Sequence, residues 1–161
     1  MNNFKKLIVW QKAREFVKEV YILTKKFPRE EQFGLTSQIR RAVISIVSNI
    51  AEGSGRGSDN EFAHFLDIAQ GSAYEVETQI ILSFDLEYIT LEEFTSSSDK
   101  ILEIQKMINK LAETKRRKTE DARQKMQDTR QKTQDTSLKS EDTSLNTNSL
   151  NTNSLFLKNE I

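Results

Sequence analysis

Apolar residues at helical spacing, in four stretches joined by short polar segments, constrain this chain more than any other feature. The stretches are residues 7–27, 31–53, 58–87 and the region from 90 onwards. Because an α-helix brings side chains three and four positions apart onto one face, each stretch predicts an amphipathic helix. One proline and five glycines in 161 residues favour long helices over a turn-rich β architecture.

Helix ends are marked in the sequence. Pro28 disfavours helical geometry at the preceding residue and predicts the end of the first helix. Glycines within residues 53–57 predict the end of the second, in the left-handed conformation that glycine tolerates. Two capping boxes, Ser58–Glu61 and Thr90–Glu93, predict the starts of the third and fourth helices.

Four helices with short connections predict an all-α fold, an antiparallel up-down-up-down four-helix bundle over residues 1–118. Residues 119–161 lose the apolar periodicity and contain near-repeats, such as LNTNS at 145–149 and again at 150–154. Such a segment cannot bury enough apolar surface to offset its ordering entropy, so it is predicted to be a disordered polar tail. A frayed extension of the fourth helix into residues 119–130 is left open.

The apolar side of the second helix is wider than one core face requires, roughly 200° of arc. Its remaining surface is mostly small and polar, which predicts a subunit interface as well as a core face. The small residues around Gly71 lower local helix propensity. This cost is tolerable if a neighbouring helix packs closely there.

Several function classes are excluded by residues that the chain lacks. There is no cysteine, the only histidine is His64, and neither a paired Glu-x-x-His motif nor a phosphate-binding glycine loop is present. We predict no catalytic residue, metal, cofactor or small-molecule substrate. No apolar run approaches the ~20 residues of a membrane span and no signal peptide is recognisable, so the chain is predicted to be cytoplasmic and off the membrane.

Basic residues concentrate in the first two helices. Residues 1–60 hold 11 basic and 6 acidic side chains, and residues 61–118 hold 7 and 11. Any anion-binding face is therefore expected on helices 1 and 2 and on the loop after them. The candidate nucleic-acid-binding residues are Lys12, Arg14, Lys18, Lys25, Arg41 and Arg56. A solvated face explains the lysines and Arg14 equally well, and a plain capped turn is the alternative at Arg56.

Arg40 falls inside the apolar arc of helix 2, so its charge requires an ion pair or an interface. For Arg41, ion pairing and phosphate binding are equally open. Glu52 is assigned with Arg40 to an interface or ion pair. Trp10 and Tyr21 lie on the apolar side of helix 1, and core or interface is favoured over base stacking for both.

The sequences FGLTSQIRRA (33–42) and SNIAEG (48–53), with Arg56, WQKA (10–13) and AQGS (69–72), resemble the four-helix bundle family of 23S ribosomal RNA intervening-sequence proteins. The resemblance covers roughly residues 4–115. Val47 departs from it, since the family often has proline there, which implies a straighter helix 2.

This family is similar to the accessory variability determinant of diversity-generating retroelements. The resemblance implies a ring-like homo-oligomer, a pentamer, with structured RNA or a reverse-transcriptase-like protein as partner. The leading hypothesis is a non-enzymatic oligomeric scaffold that binds structured RNA or a ribonucleoprotein partner. The alternative is a protein–protein adaptor without nucleic-acid contact, and an enzyme dependent on His64 is a third interpretation.

Overall fold

A computed structural model gives the backbone of residues 3–156 and the side chains of residues 3–134; the descriptions below are confined to these. Four α-helices follow one another: α1 (Ile8–Leu23), α2 (Leu35–Gly55), α3 (Asp59–Asp85) and α4 (Leu91–Phe156). Short 3-10 turns lie at Phe4–Lys6, Thr24–Lys26 and Arg29–Gln32. The predicted all-α fold of four helices is confirmed, and the described residues include no strand.

The helix ends differ from the prediction in two places. α2 begins at Leu35, because residues 29–32 form a separate 3-10 turn whose Glu31 carboxylate accepts a hydrogen bond from the Leu35 amide, at 2.8 Å. α2 then continues to Gly55, and no described glycine has a positive φ. The predicted left-handed glycine stop is wrong: Arg56 ends the helix in an extended conformation, with φ −72° and ψ 157°.

Both predicted capping boxes are present. Ser58 Oγ accepts from the Glu61 amide at 3.2 Å and donates to the Glu61 carboxylate at 2.9 Å. Thr90 forms the fully reciprocal version, in which its own amide donates to the Glu93 carboxylate at 2.9 Å. These contacts satisfy amides that the first turns of α3 and α4 leave without intrahelical partners.

All four helices contribute to one hydrophobic core. Its largest fully buried side chains are Phe16, Val20, Ile39, Val43, Ile46, Ile50, Phe62, Leu66, Ile80, Ile101, Ile104 and Ile108. Their three- and four-residue spacings are those of the predicted apolar stripes, so the amphipathic pattern is the reason that these helices pack together.

Ion pairs between α1, with the turn that follows it, and α4 show that these helices are antiparallel. Residue numbers rise on one helix as they fall on the other: Lys12–Glu103 at 2.7 Å, Glu19–Lys100 at 2.6 Å, and Lys26–Glu93. Side-chain hydrogen bonds also join α2 to α3 (Ser45–Ser72, 2.8 Å) and α3 to α4 (Glu77–Gln105, 2.7 Å). Neighbouring helices therefore contact in the sequence order of an up-down-up-down bundle.

Of the glycines at Gly53 and Gly71, it is Gly53 that lies in close contact with a neighbouring helix. A Cβ atom on Gly53 would lie 2.6 Å from Phe65 Cβ and 2.7 Å from Phe62 Cδ2, whereas one on Gly71 meets nothing within 4 Å. Gly71 is exposed on α3. α2 nevertheless packs against the small residues beside Gly71, because Ser72 is buried and hydrogen-bonds Ser45. The glycine that leaves room for the neighbouring helix is Gly53, near the end of α2.

By contacts the chain divides into two units, residues 1–119 and 120–161. α4 extends into the second, where the side chains of residues 120–134 are all exposed. Lysine, arginine, glutamine and glutamate have high helix propensity. Residues 120–134 therefore form helix although their side chains pack against no core. The part of the tail prediction that concerns residues 157–161 lies outside the described residues.

Candidate nucleic-acid interface

The six basic residues predicted to bind nucleic acid do not form one surface. Lys12 lies on the side of α1 that faces α4, where its ammonium contacts the Glu103 carboxylate at 2.7 Å. Both side chains are about half exposed, at 44% and 51%. The pair can exchange for another partner at little cost, but its position separates Lys12 from the remaining candidates.

Arg14, Lys18 and Lys25 lie on the solvent side of α1 and the turn after it, and all three are exposed. Lys18 contacts the Glu15 carboxylate at 2.9 Å, and this hydrogen bond lowers the pKa of Glu15. Arg14 reaches the same carboxylate only at 3.7 Å. Lys25 has no hydrogen-bond or ion-pair partner among the described residues, so its charge is available to a ligand.

Arg40 and Arg41 take opposite roles on α2. Arg40 is half-buried, its Nε donates to Thr24 Oγ1 at 2.8 Å, and its guanidinium lies 4.8 Å from the centre of the Tyr21 ring. No carboxylate of the described residues pairs with it. The aromatic face of Tyr21 on α1 and the hydroxyl of Thr24 in the turn after α1 stabilise its charge instead. Arg41 points away from the core, is exposed, and has no partner in the described part of the chain. Its position leaves phosphate binding open.

Arg56 is held at the end of α2. Its guanidinium pairs with Glu52 one turn earlier and lies 4.7 Å from the centre of the Phe65 ring. The neighbouring start of α3 carries Asp59, which binds Lys115 at 2.5 Å, and Glu61, whose amide Ser58 already caps. Two carboxylates in the first turn oppose an anion there. This arrangement favours the capped-turn interpretation of the loop.

Trp10 is only half-buried. It packs against the core on one side, and its ring meets Phe4 edge to face with centroids 4.9 Å apart. Its remaining surface lines an open pocket with Lys5, Gln11 and Arg14. This placement leaves part of the indole accessible to a ligand.

Sequence reasoning missed several cations and one aromatic residue. Arg29 precedes α2, and Lys106 and Lys110 lie one turn apart on α4; all three are exposed and without an ion-pair partner among the described residues. Phe33, two residues before α2, is 88% exposed. The two lysines of α4 were overlooked because residues 61–118 have a net negative charge. A negative sum over a segment does not mean that every part of its surface is negative.

Residues suited to catalysis are not grouped in the described part of the chain. His64 is exposed, with its ring 6.0 Å from that of Phe65. Among the described residues no three His, Cys, Asp or Glu side chains come close enough to share a metal ion. No described helix combines the length and apolarity that crossing a membrane requires. The class of protein that these observations define is an all-α four-helix bundle.

Residues 5–110 match the family described as 23S rRNA-intervening sequence protein, and the chain belongs to that family. A crystal structure from Bacteroides thetaiotaomicron is similar, with 31% identity, a TM-score of 0.61, and coverage of 65% of this chain and 98% of that chain. That protein is described as one of unknown function from the S23 ribosomal protein family. Neither description names an enzymatic activity. No curated protein matches this chain significantly.

Proposed function

We propose that this chain is a non-enzymatic, cytoplasmic helical scaffold that assembles with copies of itself and binds structured RNA. The family's name connects such proteins with an intervening sequence of 23S rRNA. The resemblance described above suggests five subunits. Protein cations that neutralise phosphates supply most of the affinity in binding of this kind.

One observation carries the RNA-binding part of the proposal. Lys25, Arg29 and Arg41 are exposed and have no acidic partner among the described residues. Lys25 and Arg29 lie in the 3-10 turns that connect α1 to α2, and Arg41 is two turns into α2. Because the C-terminal end of α1 and the N-terminal end of α2 lie at one end of an antiparallel pair, these three charges occupy the same end of the bundle. A phosphate backbone could contact them without breaking an existing ion pair.

The test is a fluorescence-anisotropy titration of a labelled ribosomal RNA stem-loop with the full chain, at about 50 and about 200 mM salt. Binding should weaken by an order of magnitude or more at the higher salt. The double substitution Lys25→Ala and Arg41→Ala should weaken binding and reduce the slope of log affinity against log salt by about two, one unit for each lost contact.

Lys12→Ala is the matched control, because it removes one positive charge from α1 that is already paired with Glu103. It should leave the salt slope unchanged. Equal effects of Lys12→Ala and Lys25→Ala would assign the binding to net charge and not to this end of the bundle. Absence of binding at low salt would overturn the RNA-binding proposal.

A protein–protein adaptor is the second candidate, and the outer face of α3 favours it. Ile68 and Leu82 are 41% and 45% exposed on this helix, whose surface charges are mostly acidic, and Leu86, directly after its last residue, is 51% exposed. Exposed apolar side chains on one helix face are typical of a protein interface. Co-purification of a defined protein partner after nuclease treatment, together with no RNA affinity, would favour the adaptor.

A further inference from the structure

A pocket opens at the start of α1, on the same helix as the candidate cations but at its other end. Lys5, Trp10, Gln11, Arg14 and Glu15 line it, and its volume is about 570 Å³. Small-molecule sites occupy roughly 300–1,000 Å³. The pocket therefore has room for one nucleotide-sized group.

The pocket walls are fixed by contacts within the chain. Phe4 meets the Trp10 ring at 72°, and Gln11 Nε2 donates to the Lys5 carbonyl at 2.8 Å. The Lys5 amide in turn donates to Asn3 Oδ1 at 3.1 Å, which holds the 3-10 turn before α1. Trp10 and the backbone of Lys5 are thus positioned before any ligand arrives, which reduces the entropy lost on binding.

The electrostatics of the pocket favour an anion. Lys18 engages both oxygens of the Glu15 carboxylate, at 3.1 and 2.9 Å, and lies outside the pocket. Arg14 is left 3.7 Å from that carboxylate, beyond hydrogen-bonding distance, and its guanidinium lies 5.8 Å from the Trp10 ring centre. The Lys5 ammonium has no partner among the described residues. Two cations with unused donors therefore accompany a carboxylate that is already paired.

We propose that this pocket, hereafter the Trp10 pocket, binds one unpaired RNA nucleotide, with the base against Trp10 and its phosphate between Arg14 and Lys5. Proteins recognise RNA loops in this way, by splaying a base onto an aromatic side chain and binding the adjacent phosphate with arginine. The inference rests on the proposed function and specifies which part of a structured RNA the chain contacts. It replaces the expectation that Trp10 serves only core or interface.

Trp10 is the only tryptophan in the chain, so intrinsic tryptophan fluorescence reports on this pocket alone. The full chain is titrated with a hairpin RNA that has a single-stranded loop, and separately with a fully paired duplex of equal length. The hairpin should quench the fluorescence with the same midpoint as its anisotropy change, whereas the duplex should quench little at equal occupancy.

Three variants sharpen the test, each checked for unchanged circular dichroism. Arg14→Ala should weaken hairpin binding roughly tenfold, since a charge-assisted contact and part of the stacking are lost. Glu15→Gln removes the only carboxylate of the pocket and should tighten binding several-fold. Lys12→Ala, two residues from Arg14 but on the side facing α4, should change neither the quenching nor the midpoint.

Hairpin binding by anisotropy without tryptophan quenching would overturn the Trp10 pocket and leave the proposed function intact. Absence of both signals would overturn both. Equal quenching by polyglutamate would show a general anion site and overturn the assignment to a nucleotide. Weaker binding of Glu15→Gln would contradict the electrostatic argument even if Arg14→Ala behaves as expected.

Discussion

Gln70 lies in the interior of the bundle with only 8% of its surface exposed, and neither its amide oxygen nor its amide nitrogen has a partner in the described part of the chain. Burying an amide without hydrogen bonds costs about 1–3 kcal/mol. The chain retains this glutamine on α3 beside residues that form the apolar core. Its amide is therefore a cost to the isolated fold.

Gln70→Met keeps the side-chain length and removes the unsatisfied amide. We expect the free energy of unfolding to rise by about 1–2 kcal/mol, measured by urea denaturation. The matched variant is Gln79→Met, which should gain less because the Gln79 nitrogen already donates to Glu75 at 3.2 Å. A less stable Gln70→Met would mean that a water molecule or a second subunit satisfies the amide.

The placement of individual charges was predictable only in part. Periodicity placed Arg40 among apolar residues, and the structure finds it half-buried. Its contacts with Thr24 and Tyr21 depend on how α1 packs against α2, which a helical wheel of α2 alone does not contain. The same limit applies to Lys12. A helical wheel places it on the polar side of α1, but its ion pair with Glu103 can be predicted only if the position of α4 is known.

At the scale of helices, the approach of α2 to α3 depends on the absence of a side chain at Gly53. Gly53→Ala would bring a methyl group to 2.6 Å from Phe65 and 2.7 Å from Phe62. The helices would have to separate, with a loss of about 1–3 kcal/mol of stability. Thermal unfolding followed by circular dichroism measures this loss.

Gly71→Ala is the matched control, since the added methyl group meets nothing and alanine is the better helix former by ~1 kcal/mol. It should raise the midpoint temperature. If both substitutions lower it, Gly71 has a partner outside the single chain, and if Gly53→Ala is neutral, the two helices adjust without cost.

The start of α4 contains a pH-sensitive contact. Hydrogen bonds from Lys26, and then from Thr90, lower the pKa of Glu93. A carboxyl whose folded pKa is depressed stabilises the fold above its unfolded pKa of ~4.3, and this stabilisation is lost as the pH falls through the lower folded pKa. Solvent reaches the pair, so screening limits the contribution to about 0.2–1 kcal/mol.

Glu93→Gln should therefore destabilise the fold at pH 7, and the difference from the unsubstituted chain should vanish near pH 3. Urea denaturation across this range measures it. Glu92→Gln is the control, because Glu92 occupies the same first turn but contacts neither Lys26 nor Thr90; it should have a smaller effect. A Glu93→Gln difference that persists at pH 3 would show that the carboxylate charge is not its cause.

Helix number, order and core faces were predictable from sequence, because apolar spacing alone determines them in a small bundle. Helix ends were less so. The starts of α3 and α4 were predictable, because Ser58 and Thr90 cap amides only three residues away in sequence. The start of α2 depends on Glu31 folding back onto Leu35, a contact that a capping motif of the usual spacing does not describe.

At the scale of the whole molecule, opposite halves carry opposite charge. Residues 1–60 have a net charge of +5 and residues 61–118 a net charge of −4, from the 11 and 6, and 7 and 11, side chains counted above. A surface on α1 and α2 that meets α3 of another copy makes a head-to-tail contact, the type that generates closed rings. This is consistent with the proposed homo-oligomer.

We expect the double substitution Leu82→Glu and Leu86→Glu to dissociate such an assembly, because it introduces charge into the exposed apolar face of α3. Size-exclusion chromatography with light scattering should show a fall to the monomer mass with unchanged helicity. Met126→Glu, at a 74% exposed position beyond the bundle, is the control. An unchanged mass for the α3 variant would exclude this face from the interface.

The charges of the ion pairs that join α1, with the turn after it, to α4 alternate along the helices. The cation is on the α1 side at Lys12–Glu103, on α4 at Glu19–Lys100, and again on the α1 side at Lys26–Glu93. Each exposed pair adds little stability, but their order distinguishes the native register from its neighbours. If α4 slid so that Lys100 met Lys12, like charges would face each other. The order of charges therefore favours one alignment of the first and last helices over its neighbours. An α4 transplanted from a relative should pack in the native register more stably if it carries the complementary order of charges.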